Sequence, residues 1–91
     1  MPEIRNVDAG DDRQLLIDAA RRVIADQHTS PRRVQRTLRV GFVKARRLRD
    51  LMQDAGIIGP PVYDNRRPVL VKREDSAAAI AVLSQELTAD A

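Results

Sequence analysis

The chain reads as a mainly α domain with a small β-hairpin. It is a winged helix-turn-helix of three helices and a wing, carrying an extra C-terminal helix. Three observations predict this. Apolar residues recur at three-and-four spacing in two long segments and one short one between residues 12 and 55. Ser30-Pro31, Gly41 and Gly56 punctuate those segments where helices start, turn and stop. Past Gly56 the pattern changes to two short β-branched runs around a turn-rich basic stretch, then to an alanine-rich segment. The implied organisation is a flexible lead-in over 1–11, the winged-helix domain over 12–73, and a C-terminal helix and tail over 74–91.

Each element has a local reason. The first helix begins near Asp11 or Asp12, where acids suit a helix N-terminus, and Leu15, Leu16, Ala19, Ala20, Val23 and Ile24 share its apolar face. It ends near Gln27 and His28. Ser30 then stands at an N-cap and Pro31 at the first helical position of a short second helix, which runs to Leu38 with Val34 and Leu38 inward. Gly41 is expected to permit the tight corner. In the third helix, Phe42 to Ala55, Ala45, Leu48, Met52 and Ala55 lie on one face and Val43, Arg46, Arg47 and Asp50 on the opposite one. Gly56 is the expected C-cap. Ile57-Ile58 and Val69-Leu70-Val71 read as the hairpin strands, with Tyr63-Asp64-Asn65-Arg66-Arg67 as a basic tip. The last helix spans about Asp75 to Leu87, with Ile80, Leu83 and Leu87 as its stripe.

Composition narrows the function. Ninety-one residues make one domain, and one Phe, one Tyr and no Trp leave its core aliphatic. Without cysteine and with a single histidine, neither a disulfide framework nor a thiolate or histidine metal site is expected, and no cofactor is implied. No apolar run approaches the roughly 20 residues of a membrane span and no signal peptide is visible, so the expected location is the cytoplasm, at the nucleoid. Nothing combines a nucleophile, a base and an oxyanion donor, so catalysis is not expected. Asp11-Asp12 reads as helix capping and His28 as a surface residue.

The net charge of +3 conceals an asymmetry. Residues 1–29 sum to −2, residues 30–73 to +9, and residues 74–91 to −4. Arg32 to Arg49 alone hold eight of the sixteen basic groups and no acid. A basic face on a helix-turn-helix implies double-stranded DNA as the partner, because a short helix reads base edges in the major groove while Arg and Lys hold phosphates. Val43, Arg46 and Arg47 are the candidates for base contact, Arg47 foremost. Ser30, Arg32, Arg33, Arg36, Arg39 and Lys44 are the candidates for phosphate contact. Arg66 and Arg67 are the candidate wing contacts, and Tyr63 reads as a packing residue at the wing base. Ile80, Leu83 and Leu87 either fold back on the first helix or form the seam of a weak dimer. A winged helix that docks a recombinase or transcription partner is the competing reading, with structured RNA a third; no small-molecule substrate is evident.

The segment from Leu15 to Val71 also resembles the gamma domain at the C-terminus of the FtsK/SpoIIIE family of DNA translocases. The likeness is carried by Val34-Gln35-Arg36, Leu38-Arg39-Val40-Gly41-Phe42, Lys44-Ala45, Arg47-Leu48 and Asp50. It continues through Met52, Ala55-Gly56-Ile57-Ile58-Gly59-Pro60 and Arg67-Pro68-Val69-Leu70-Val71. The resemblance implies a winged helix that reads short, polar, G-rich chromosomal sites, orients a motor and touches a site-specific recombinase. The family's Tyr-Asn-Arg-Ala-Ala-Arg at the start of the recognition helix is Phe42-Val43-Lys44-Ala45-Arg46-Arg47 here. Val43 and Arg46 therefore mark a distinct specificity. The expectation is a gamma-type unit used without its pump, as a small DNA-binding regulator or recognition accessory; the recognition module of a translocase is the other possibility.

Overall fold

The computed structural model describes residues 3–62 and 66–89. Its order is α1 (Arg13–Asp26), α2 (Pro31–Leu38), α3 (Phe42–Ala55) and α4 (Ser76–Ala89), with single 3-10 turns at Gly10–Asp12 and Arg73–Asp75. The protein is thus mainly helical. The core is aliphatic: Leu16, Val23 and Ile24 of α1 meet Leu48 and Met52 of α3, with Ile57, Ile58, Val71 and Leu83 closing it. Val34 is the buried residue of α2, and Leu38 packs against the core at its edge.

The two strands expected after α3 are not formed among the described residues. One antiparallel bridge joins Ile58 to Val69. Around it the Leu70 N–H donates to the Ile57 carbonyl at 2.9 Å, Gly59 to Pro68 at 2.8 Å, and Val62 to Arg66 at 2.8 Å. The two segments therefore run alongside each other, but a ladder cannot propagate. Pro60, Pro61 and Pro68 have no N–H to donate, and proline interrupts a sheet wherever a ladder bond is needed. The expected tip residues Tyr63, Asp64 and Asn65 lie outside the described residues.

Two corners differ from the sequence reading. The α2–α3 turn takes its left-handed residue at Arg39 (φ 55°), while Gly41 is extended (φ −73°, ψ 169°) and serves as the N-cap of α3. The Ser30 hydroxyl makes no capping bond; its carbonyl accepts from Arg33 and Val34, and its N–H donates to His28 Nδ1 at 3.2 Å. The end of α1 is fastened by distant groups instead. Gln27 Nε2 donates to the carbonyls of Ile24 and Val71, and Arg73 Nε donates to that of Ala25.

Residues 3–9, expected to be part of a flexible lead-in, place Ile4 and Ala9 in the core. The Arg5 N–H donates to the Ala55 carbonyl at 2.8 Å. Here Gly56 matters twice. Its φ of 89° closes a Schellman turn, with Gly56 N–H bound to Gln53 O and Ile57 N–H to Met52 O. A Cβ at this glycine would also lie 2.5 Å from the Glu3 carbonyl oxygen. Gly56→Ala should therefore cost roughly 1–3 kcal/mol, from left-handed strain together with displacement of the N-terminal segment. A urea midpoint equal to that of the wild type would remove this account.

Of the two readings of the last helix, the fold-back is the one observed. Ile80, Leu83 and Leu87 of α4 are buried within the chain, with α4 lying against α1. Those side chains are thereby withdrawn from any outer dimer seam. Among the described residues, no helix is long and apolar enough to cross a membrane.

Candidate nucleic-acid interface

The outward face of α3 stands open as its periodicity requires. Val43 is 81 % exposed, and Arg46 and Arg47 are exposed beside it. Phe42, at the first turn, is half out, and the Arg46 guanidinium lies 5.8 Å from its ring centroid. Such an exposed cation–π contact is worth about 0.5–1 kcal/mol and steadies Arg46 without spending its hydrogen-bond donors.

Lys44 and Arg47 are not free. Lys44 Nζ reaches both oxygens of Asp12, at 2.8 and 3.0 Å, and Arg47 Nε reaches Asp12 Oδ2 at 3.2 Å. Asp12 was expected to cap α1, yet its side chain makes no capping bond there. It is one of the few buried polar residues, and its carboxyl is held below the ordinary value of 3.8. The Lys44 hydrogen bond is the largest cause, burial opposes it, and Arg47 adds to the lowering. Lys44, a candidate phosphate contact, is thus paired with an acid, with its side chain 41 % exposed.

The other candidate cations divide in the same way. Arg32, Arg36 and Arg39, around α2, and Arg66 are exposed and form no ion pair with a described residue. Arg33 has only a long 3.8 Å approach to Asp26, itself shared with Arg22. Arg67, expected at the wing tip, is instead clamped against α3. Its Nη1 lies 2.8 Å from Asp50 Oδ1, its side chain is 16 % exposed, and its carbonyl accepts from Thr29 Oγ1 at 2.8 Å. Arg49 belongs to the same basic run but is buried, and that burial, followed by the nearby Arg67 charge, lowers its guanidinium pKa. Ser30 is half-buried at the start of α2.

Between the α1–α2 loop, the start of α3 and the bridged segments lies a groove of about 970 Å³. His28, Ser30 and Pro31 form one wall, Phe42 and Arg46 a second, and Val62 and Arg66 a third. One side of the groove is therefore a helix N-terminus and another a run of cationic side chains, both of which favour an anion.

Four residues of this surface were missed from sequence: Asp12, Thr29, Arg49 and Asp50 in their pairing roles. Arg49 alone had a signal, since it follows Ala45 by four residues and precedes Met52 by three on the apolar side of α3. The partners of Asp12 lie 32 and 35 residues away and have no local trace.

Residues 10–72 match the family described as the FtsK gamma domain. A protein named DNA translocase FtsK from Mycobacterium leprae is 42 % identical over 83 residues, which is 91 % of this chain and 10 % of that one. The proteins of the same name from Streptomyces avermitilis and Tropheryma whipplei are 46 % identical over 79 residues and 44 % identical over 85. They cover 87 % and 91 % of this chain but 9 % and 12 % of their own lengths. The chain thus spans about a tenth of the length of the relatives it matches.

Proposed function

This chain belongs to the FtsK gamma domain family, and from that premise we propose that it binds double-stranded DNA with sequence preference, as the recognition module of a DNA translocase. One observation carries the reading: α3 exposes Val43, Arg46 and Arg47 together on one face, with the exposed Arg32, Arg36 and Arg39 alongside α2. In this arrangement α3 enters the major groove, and the α2 arginines hold backbone phosphates that position it. The proline-limited pair of segments from Ile57 to Val71 acts as a short wing. Arg66 is its contact with DNA, and Arg67 holds its base to α3 through Asp50. The groove at the start of α2 seats a backbone phosphate, with Ser30 at its rim. The unit recognises and has no chemical step of its own. The relatives' shared name favours the translocase setting over a free-standing transcription regulator.

A gel shift with a random-sequence duplex at low salt should show retention. Its absence would leave recombinase or transcription-partner docking as the better reading of the exposed Phe42, Val43 and Val62. For specificity, duplexes selected from a random pool provide the preferred site. Arg47→Ala should weaken that site by about 1–3 kcal/mol, a loss of roughly 5- to 150-fold, and affect scrambled duplex far less. Equal losses on both would demote Arg47 to a backbone contact.

A further inference from the structure

Asp12, Lys44 and Arg47 form a cluster whose layering is informative. The acid lies underneath, with its side chain 12 % exposed, and the two cations project past it, 41 % and 49 % exposed. The Arg47 hydrogen bond to Asp12 is made by Nε, and its terminal Nη1 and Nη2 make no hydrogen bond with a described residue. Lys44 is held by both carboxylate oxygens. Together the three side chains carry one net positive charge where the two cations alone would carry two.

We propose that Asp12 is a positioning residue for base reading. It fixes the Arg47 guanidinium so that its terminal nitrogens face the bases, and it holds Lys44 away from the phosphates. The proposal rests on the DNA-binding reading above. A guanine presents O6 and N7 as two coplanar acceptors, which a pre-set pair of guanidinium N–H groups can meet without first losing rotamer freedom. Lys44 gives no such discrimination, since a phosphate is the same at every base pair. Were it free, it would strengthen binding to all sequences alike. Tied to Asp12, it adds little to that indiscriminate attraction, while the carboxylate repels any polyanion that approaches without a matching base for Arg47. Selectivity here is gained partly from a repulsive group.

The test is a set of titrations by fluorescence anisotropy at several salt concentrations, on the selected duplex and on a scrambled one. Asp12→Asn should bind the scrambled duplex several-fold more tightly. Its salt slope should steepen by up to about 1.8, two contacts at roughly 0.9 each. Its preference for the selected site should fall about fivefold or more, and Asp12→Glu, which restores the charge, should recover most of that preference. Lys44→Gln leaves the Asp12–Arg47 pair intact and should keep the wild-type slope; a slope flatter by about 0.9 would mean that Lys44 already holds a phosphate, which overturns the proposal whether or not Asp12→Asn folds. Asp12→Asn weakening both duplexes equally, or retaining the wild-type slope and preference, would leave Asp12 a purely structural ion-pair partner. If the wild type is retained on neither duplex at low salt, the DNA-binding reading itself fails and this one with it. Wild-type binding with either contrary variant result sinks this one alone.

Discussion

Raising monovalent salt from about 50 to about 200 mM should weaken duplex binding by roughly 150- to 500-fold, a log–log slope near −4. The figure follows from which cations the fold leaves available. Each neutralised phosphate releases condensed counterions and contributes about 0.9 to the slope. Counted from sequence, the basic run and wing offer six to eight such contacts and a slope of about −5 to −7. The structure shortens that count, because Lys44 is paired with Asp12, Arg67 with Asp50, and Arg49 is buried. Arg32, Arg36, Arg39 and Arg66 remain, with Arg33 as a fifth whose approach to Asp26 is too long to compete with a phosphate. A slope of −6 or steeper would mean that the internal ion pairs open when DNA binds. A slope shallower than about −2 would remove the phosphate grip altogether.

Leu48→Ala should cost about 2–5 kcal/mol, the range for removing a large aliphatic side chain from a site that cannot collapse. Leu48 is fully buried on α3, where that helix packs against α1 and α2, and a core with so little aromatic volume has few bulky neighbours to move into a void. A domain of this length has a total stability of roughly 5–14 kcal/mol, so one such change removes from about a seventh to nearly all of it. The measurement is a urea titration with the slope checked against wild type. The same substitution should leave duplex affinity within a few-fold where the variant is still folded, since Leu48 is on the far side of α3 from Val43 and Arg46. A loss below about 1 kcal/mol would show that the helices repack around the gap.

How much was legible follows from how local each determinant is. The limits of α2 and α3 were readable because Pro31, Gly41 and Gly56 act on their own backbone within one turn. Within that, the left-handed corner fell on Arg39 and not on Gly41, since the glycine position says that a turn is near but not which residue reverses the chain. The β character after Gly56 was visible in Ile57-Ile58 and Val69-Leu70-Val71. It stopped at one bridge because the three neighbouring prolines outweigh β-branched propensity. The sign and place of the exposed positive charge were readable; how much of it is neutralised within the fold was not. Asp12 and Asp50 neutralise cations 17 to 35 residues away, and no periodicity in the chain reports such a pairing. Ile4 and Ala9 were invisible for a related reason: two apolar residues in a stretch without period acquire meaning only when another element covers them.

The N-terminal segment has a mechanical consequence. Arg5 is hydrogen-bonded to Ala55, at the opposite end of α3 from Val43, and twelve helical steps separate those ends by roughly 18 Å. An affinity handle, dye or tether joined ahead of Glu3 is therefore anchored well clear of Val43 and Arg46 and can be used without obstructing that face. Tension applied there is delivered to the C-terminal end of α3. The first attachment to give way would be the Arg5–Ala55 hydrogen bond, before the seat of Arg46 and Arg47 is disturbed.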